Sequence, residues 1–182
     1  NIDNLNSKLV QINSFDYDKF IENKTDLKIN HKYCVFLDEY LPFHPDWSLL
    51  NFKTVDPNEY YNTMNSFFNM IEKNGLKVII AAHPKSDYQI NPFEGRQVFK
   101  FKTNELVKNS HFTMAHMSSS INYSILNNKK VLFLITDAYK KIYKNTAYRT
   151  SQYFSSALGE QLINCNDYSC IDISNTNIDQ NL

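Results

Sequence analysis

Two continuous apolar runs joined by a well-marked helix most limit how this chain can fold. Residues 33–37 and 78–82 are apolar throughout and rich in aromatic or β-branched side chains, which is typical of buried strands. Between them, Asp56 and Pro57 form a strong helix start, and Gly75 marks the helix end. Because this crossover is long enough to return the chain to the same end of a sheet, the segment predicts two parallel strands.

The second half of the chain repeats this alternation with shorter parts. Further strands are predicted at residues 97–101, 111–115 and 131–135, with a last edge strand at residues 170–173. Helices are predicted at residues 103–109 and 119–126, and a mainly helical segment at residues 138–158, ending at Gly159. Helices should therefore cover both faces of the sheet.

The pattern as a whole predicts an α/β fold, a Rossmann-like three-layer sandwich whose mainly parallel sheet has about five or six strands. Residues 31–173 would form this domain, after an irregular or short helical segment at 1–30 and before a polar tail at 174–182. A chain of 182 residues is long enough to bury its own core. Since it begins with Asn1 rather than Met, we expect it to be a piece of a longer protein.

Composition excludes several classes of protein. Nineteen basic residues balance nineteen acidic ones, so no overall field attracts nucleic acid or an anionic membrane. Three cysteines without C-x-x-C spacing favour a reduced, cytosolic setting, and the histidines have no spacing for a metal, so we predict no metal site. No apolar run approaches the roughly 20 residues of a membrane span. Three glycines cannot supply a GxGxxG or P-loop motif.

Polar residues follow the predicted strands at the edge where parallel-sheet proteins bind ligands. Taken along the chain, the candidates are Asp38, Glu39, His83, Lys85, Thr103, Glu105, Ser118, Ser119 and Ser120. Of the two adjacent carboxylates we favour Asp38 as a general base or sugar contact, because strand alternation directs only one of them into a cleft. Glu105, in the first turn of a helix, either caps that helix or binds a ribose hydroxyl.

Two of these segments are suited to holding an anion. Small hydroxyl residues at 118–120, at a helix start, leave backbone N–H groups unpaired, so that a phosphate fits there; a simple helix cap is the structural alternative. Pro84 holds His83 at its strand end, where the ring either donates to a phosphate oxygen or has a structural role. Lys85 would be solvated unless the anion sits close to it. We expect the two segments to meet in space.

Four short motifs follow one another through the predicted domain. They are Ala-Ala-His-Pro-Lys at 81–85, Phe-Glu-Gly-Arg at 93–96, Thr-Asn-Glu-Leu-Val at 103–107, and three serines at 118–120 followed by Val-Leu-Phe-Leu at 131–134. In order and spacing they resemble the carboxyl-terminal half of GT-B glycosyltransferases. The similarity is greatest to bacterial sialyltransferase-like and capsular polysaccharide transferases, which carry an HP motif and a Ser-rich motif.

This resemblance implies a donor-binding domain for a CMP-activated sugar. According to this resemblance, His83 and Ser118 to Ser120 would contact the donor phosphate, and residues 103–105 would lie near the nucleoside. It implies metal-independent, inverting transfer to a glycan acceptor, with no cofactor beyond the donor and with a second Rossmann-like domain upstream. The implied location is cytoplasmic or peripheral at the inner face of the bacterial plasma membrane. The acidic motif of these families ends in Gly and lies far upstream, so Asp38-Glu39-Tyr40 does not match it.

The sequence is therefore compatible with three functions. The first is the donor-binding domain of a bacterial glycosyltransferase that builds surface polysaccharide. The second is a CDP-polyol phosphotransferase of the teichoic-acid type, which would use a similar half-fold and a cytidine nucleotide. The third is a non-catalytic α/β scaffold that binds a protein through aromatic residues, namely Phe43, Trp47, Tyr143, Tyr148 and Tyr153.

Overall fold

A computed structural model describes residues 10–22 and 27–167, which form a parallel sheet with helices on both faces. The strands are β1 (Tyr33–Leu37), β2 (Lys77–Ala82), β3 (Val98–Lys100), β4 (Thr113–Ala115), β5 (Val131–Ile135) and β6 (Leu162–Asn164). The helices are α1 (Phe15–Glu22), α2 (Pro45–Leu49), α3 (Pro57–Lys73), α4 (Thr103–Lys108), α5 (Ile121–Leu126), α6 (Asp137–Ile142) and α7 (Ala147–Ala157). The predicted Rossmann-like α/β fold is confirmed.

The order of the strands creates a switch point in the sheet. All neighbouring strands pair in parallel, in the order β3-β2-β1-β4-β5-β6. From β1 the chain moves outward through β2 to β3, and then returns to the other side of β1 to form β4. In such sheets a crevice opens between the carboxyl ends of the two central strands, where ligands bind.

Helix α3 forms as its sequence predicts. The Asp56 carboxylate accepts a hydrogen bond from the Glu59 N–H at 2.9 Å, and Pro57 occupies the first turn. The apolar side chains at spacings of three and four are all buried, namely Tyr60, Met64, Phe67, Phe68 and Ile71. After the helix, Gly75 adopts a φ of +87°, a conformation that favours glycine, and this lets the chain turn into β2.

Alternate residues of β1 face the two helical layers. Cys34 and Phe36 belong to the core that packs against α3, whereas Tyr33, Val35 and Leu37 belong to the core formed with α4 and α5. Every residue of β1 is buried, as expected for a central strand covered on both faces. This burial explains why residues 33–37 are a continuous apolar run rather than an alternating one.

Several helix and strand boundaries in the structure differ from those predicted from the sequence. Strand β3 is shorter than 97–101 because Phe101 adopts a φ of +58°, which takes it out of extended geometry. The helical segment 138–158 divides into α6 and α7, since Tyr143 turns into the core and its carbonyl accepts the N–H groups of Thr146 and Tyr148. The break contains neither Gly nor Pro, so the sequence does not indicate it.

The sixth strand was not predicted where it occurs. Three residues of β6 pair with β5, and the N–H of Cys165 donates to the carbonyl of Ile135 at 2.8 Å. A strand of three residues is too short to produce a recognisable period. The edge strand that we predicted at 170–173 lies outside the described residues. Within the described ranges, no helix is long and apolar enough to cross a membrane.

Helix α1 lies against the edge of the sheet where the strands end. Asn122 of α5 donates to the Asp16 carboxylate at 2.8 Å, and Asn104 of α4 donates to the Lys19 carbonyl at 3.1 Å. No residue of α1 is buried. Polar contacts therefore hold this helix beside the carboxyl ends of the sheet.

Candidate functional site

A cleft of about 1030 Å³ opens at the carboxyl ends of the central strands. Its walls come from α1, from the segments that follow β1, β2, β3 and β4, and from α2. Of the site residues predicted from the sequence, those that line it are Asp38, Glu39, His83, Thr103, Glu105, Ser118, Ser119 and Ser120. The pairing of β1 with β4 thus brings together segments that lie far apart in the sequence.

Glu39 occupies the switch point itself. Its Oε1 atom accepts hydrogen bonds from the backbone N–H groups of His116 at 3.1 Å and Met117 at 2.7 Å. The pKa of this carboxyl is raised to about 7, mainly by burial and in part by the charge of Asp38, while the N–H groups at residues 116–118 oppose the rise. Glu39 therefore ties β1 to the turn after β4, and burial favours its protonated form to a higher pH than in an exposed glutamate.

Asp38 is buried beside Glu39 in a different environment. Its carboxylate accepts a hydrogen bond of 2.6 Å from the Tyr88 hydroxyl and one of 3.0 Å from the Tyr40 N–H. Burial raises its pKa to about 6, and these hydrogen bonds moderate the rise. The expectation that only one of the two carboxylates reaches the cleft is wrong, because β1 ends at Leu37 and strand alternation does not continue beyond it.

The Tyr88 hydroxyl should control the protonation of Asp38. Replacing Tyr88 with Phe removes a donor that favours the charged carboxylate, so we expect the pKa of Asp38 to rise above about 6. The measurement is a pH titration of the carboxyl carbon by NMR. Tyr40→Phe is the matched control, because Tyr40 reaches Asp38 through its backbone N–H. Equal pKa values of Asp38 in wild type and Tyr88→Phe would contradict this.

His83 and His44 meet at the side of the cleft after β2. Their ring centroids are 4.7 Å apart, with an angle of 65° between the planes. The Nδ1 atom of His83 accepts the N–H of Lys85 at 3.1 Å, and burial lowers the pKa of the ring. His44 is one of the histidines whose spacing does not suit a metal, and the sequence predicted no other role for it. The signal that could have identified it is the repeated His-Pro dipeptide, at 44–45 and 83–84.

Lys85 lies outside the cleft lining, on the far side of this histidine pair. Its ammonium group forms an ion pair with the Asp46 carboxylate at 2.9 Å. Both side chains are about half exposed, at 55% and 49%, so the pair adds little stability. This ion pair connects the turn after β2 to helix α2. A direct contact of Lys85 with a ligand remains a prediction.

The serine turn differs from the helix start that we predicted. Helix α5 begins at Ile121, and residues 118–120 form the turn before it, with the N–H of Ser120 donating to Ser118 Oγ at 3.2 Å. The Ser118 N–H donates to the Glu39 carboxylate, as do the N–H groups of His116 and Met117 just before it. The array of free N–H groups expected here is therefore largely occupied. The serine hydroxyls remain as cleft-lining groups.

The first turn of α4 forms the opposite wall. Thr103 and Glu105 line the cleft, and Glu105 accepts a hydrogen bond from Lys102 Nζ at 3.1 Å. Beside them Phe101 is 72% exposed although it lines the cleft. A positive φ at a bulky residue costs energy, and such strain is concentrated at functional sites. An exposed aromatic face is a surface on which a planar base can stack.

Fold and site together define a Rossmann-like α/β protein with a switch-point cleft bordered by two carboxylates, a pair of His-Pro turns and a serine turn. No protein-family model matches the sequence, and no curated protein matches it either. Among the described residues, no three His, Cys, Asp or Glu side chains are grouped so that they could hold a metal ion. The polar groups that remain suit a ligand with hydroxyl and anionic parts.

Proposed function

We propose that this chain is the donor-binding domain of a bacterial glycosyltransferase that uses a CMP-activated sugar to build surface polysaccharide. The observation that supports this most strongly is the convergence of His83, residues 118–120 and residues 103–105 on one cleft at the switch point. These are the segments that the resemblance assigns to the donor phosphate and nucleoside. The cleft volume, about 1030 Å³, is at the upper end of the range for small-molecule sites.

The donor would lie across the cleft with its nucleoside at α4 and its phosphate at the histidines. Phe101 offers a face for the cytosine base, and Glu105 offers a carboxylate for a ribose hydroxyl. On the other side, the Nε2–H group of His83 and the hydroxyls of Ser119 and Ser120 supply hydrogen-bond donors to the phosphate. The site thus provides separate surfaces for the two parts of a nucleotide.

Transfer would break the bond between the anomeric carbon and the phosphate oxygen. The phosphate leaves with the electron pair, and an acceptor hydroxyl attacks the sugar from the opposite face and loses its proton. His83 would stabilise the departing phosphate by hydrogen bonding. Asp38, our sequence-based candidate, and Glu39 are carboxyls with pKa values of about 6 and about 7, which suits a group that accepts a proton near neutral pH.

A second Rossmann-like domain upstream would carry the glycan acceptor. Three cleft-lining side chains are apolar and largely exposed, Phe15 at 73%, Leu50 at 59% and Phe101 at 72%. Exposed apolar groups at the mouth of a cleft are suited to cover by a partner surface. In this proposal, donor binding belongs to the present chain and acceptor binding to the other domain.

The test of donor binding is thermal unfolding of this chain with nucleotides. At a concentration of about ten times the Kd, CMP should stabilise the chain by about 1.4 kcal/mol, which raises Tm by about 2–4 °C. His83→Ala and Ser119→Ala should abolish the shift. Ser156→Ala, on the exposed face of α7, should leave it unchanged. No shift with CMP, CDP or UMP at millimolar concentration would refute the proposal, and a selective shift with CDP-glycerol would indicate the phosphotransferase instead.

A further inference from the structure

Two His-Pro turns with the same local hydrogen-bond pattern lie next to each other in the wall of the cleft. His44-Pro45 leads into α2, and His83-Pro84 follows β2. In each, the ring Nδ1 atom accepts the backbone N–H two residues later, Asp46 at 3.2 Å and Lys85 at 3.1 Å. Proline fixes the backbone between the ring and its donor. Both imidazoles are therefore held in place by their own turns.

This arrangement determines the tautomer of each ring. A neutral imidazole whose Nδ1 accepts a hydrogen bond carries its proton on Nε2. Within the described part of the chain, neither His44 Nε2 nor His83 Nε2 has a hydrogen-bond partner, and both rings line the cleft. The ring centroids are 4.7 Å apart, a separation that a single tetrahedral anion bound to both rings can span.

The charges around the pair favour an anion between the rings. Burial is the main cause that lowers the pKa of both rings. His44, Lys85 and Lys100 lower that of His83 further, Lys85 lowers that of His44, and Asp46 raises both. The Asp46 carboxylate forms an ion pair with Lys85 Nζ at 2.9 Å, and Lys100 Nζ donates a hydrogen bond to the Ser86 carbonyl at 2.6 Å. The Asp46–Lys85 ion pair also bridges the two turns. Its negative member, Asp46, is thereby paired with an ammonium group.

We propose that His44 and His83 form a two-histidine clamp for a single phosphate group, in which His44 is a phosphate-binding residue equal in role to His83. The clamp rests on the proposed function and deepens it, because it assigns the phosphate of the nucleotide to a particular pair of N–H donors. Each Nε2–H donates to a different non-bridging oxygen. Both rings stay neutral in this clamp, because an imidazole whose Nδ1 atom accepts a backbone N–H carries no proton there.

The structural alternative is that His44 serves only as the N-cap of α2, through its Nδ1 atom. Two substitutions separate the roles. Asn places an acceptor where Nδ1 lies and is a good N-cap, but it has no group at the Nε2 position. Gln places an N–H donor near the Nε2 position and lacks the cap. His44→Asn therefore preserves the cap and removes the clamp donor, whereas His44→Gln does the reverse.

The experiment measures the affinity of the chain for CMP and for cytidine by calorimetry. We expect His44→Asn to weaken CMP binding about 10-fold, the size of one charge-assisted hydrogen bond, and to leave cytidine binding unchanged. His44→Gln should stay within about threefold of wild type.

A second measurement needs no variant. In the wild-type chain, the imidazole ¹H–¹⁵N signals of both His44 and His83 should shift when inorganic phosphate or CMP is added. Full CMP affinity in His44→Asn, an unchanged His44 signal, or binding of Zn²⁺ instead of phosphate would overturn the clamp. Shifts with phosphate but no preference for cytidine nucleotides would support the clamp and refute the proposed donor. Absence of binding to phosphate and CMP alike would refute both.

Discussion

Phe36→Ala is expected to lower the free energy of unfolding by about 3–5 kcal/mol, a large share of the about 5–15 kcal/mol of a typical domain. Phe36 is fully buried at the centre of β1. Its ring packs against Phe68 at 5.2 Å, His116 at 5.8 Å and Phe93 at 6.4 Å between centroids. Removing it leaves a cavity between the sheet and α3, because these neighbours belong to different elements and cannot all move in.

Urea denaturation would measure this loss as a lower midpoint with an unchanged m-value. Phe101→Ala is the matched control, since it removes the same side chain from a position that is 72% exposed and should change stability by less than about 0.5 kcal/mol. A loss below about 1 kcal/mol for Phe36→Ala would contradict the packing described between β1 and α3.

Glu39→Gln is expected to stabilise the chain at pH 8, by about 1–3 kcal/mol. In the folded state the pKa of Glu39 is raised from 4.5 to about 7, chiefly by burial. The folded state therefore keeps this proton between about pH 4.5 and 7 while the unfolded state loses it, so stability falls as pH rises through that window. At about 1.4 kcal/mol per pKa unit the full shift would correspond to about 3 kcal/mol, and solvent screening reduces it.

The amide of Gln keeps an oxygen for the N–H groups of His116 and Met117 but carries no charge to bury. We expect the stability curves of wild type and Glu39→Gln to converge below about pH 4.5, to diverge between about pH 4.5 and 7, and to stay apart above pH 7. Glu59→Gln, at an exposed position on α3, controls for the change of formal charge alone. A variant that is less stable than wild type at pH 8 would show that the charged carboxylate is needed to hold the turn after β4.

Much of the site could be predicted from the sequence because ligands bind at one known edge of a parallel sheet. Asp38, His83, Thr103, Glu105 and the serines of 118–120 all line the cleft, because each follows a strand whose apolar run marks its end. Lys85 is the exception. Its side chain is long enough to turn away from the edge, and Asp46, which binds it, lies 39 positions earlier in the chain.

The residues that sequence analysis placed in the wrong role are those whose partners come from a distant segment. Glu39 was ranked below Asp38 on strand alternation, yet it binds N–H groups 77 and 78 positions away. His44 was assessed only for metal spacing, and its contact with His83 arises because α2 packs beside the turn after β2. No local pattern shows that either pair of segments meets in space.

The α/β class, the capped helix α3 and the strand ends at which the site residues stand can all be inferred from the amino-acid sequence. These features depend on hydrophobic periodicity and on capping groups within about one helical turn, which a local pattern records. The contact of His44 with His83, the position of Glu39 at the switch point and the start of α5 after the serines depend on the packing of distant segments. Those outcomes follow from strand order, because pairing β1 with β4 brings together groups whose separation along the chain carries no information about their distance in space.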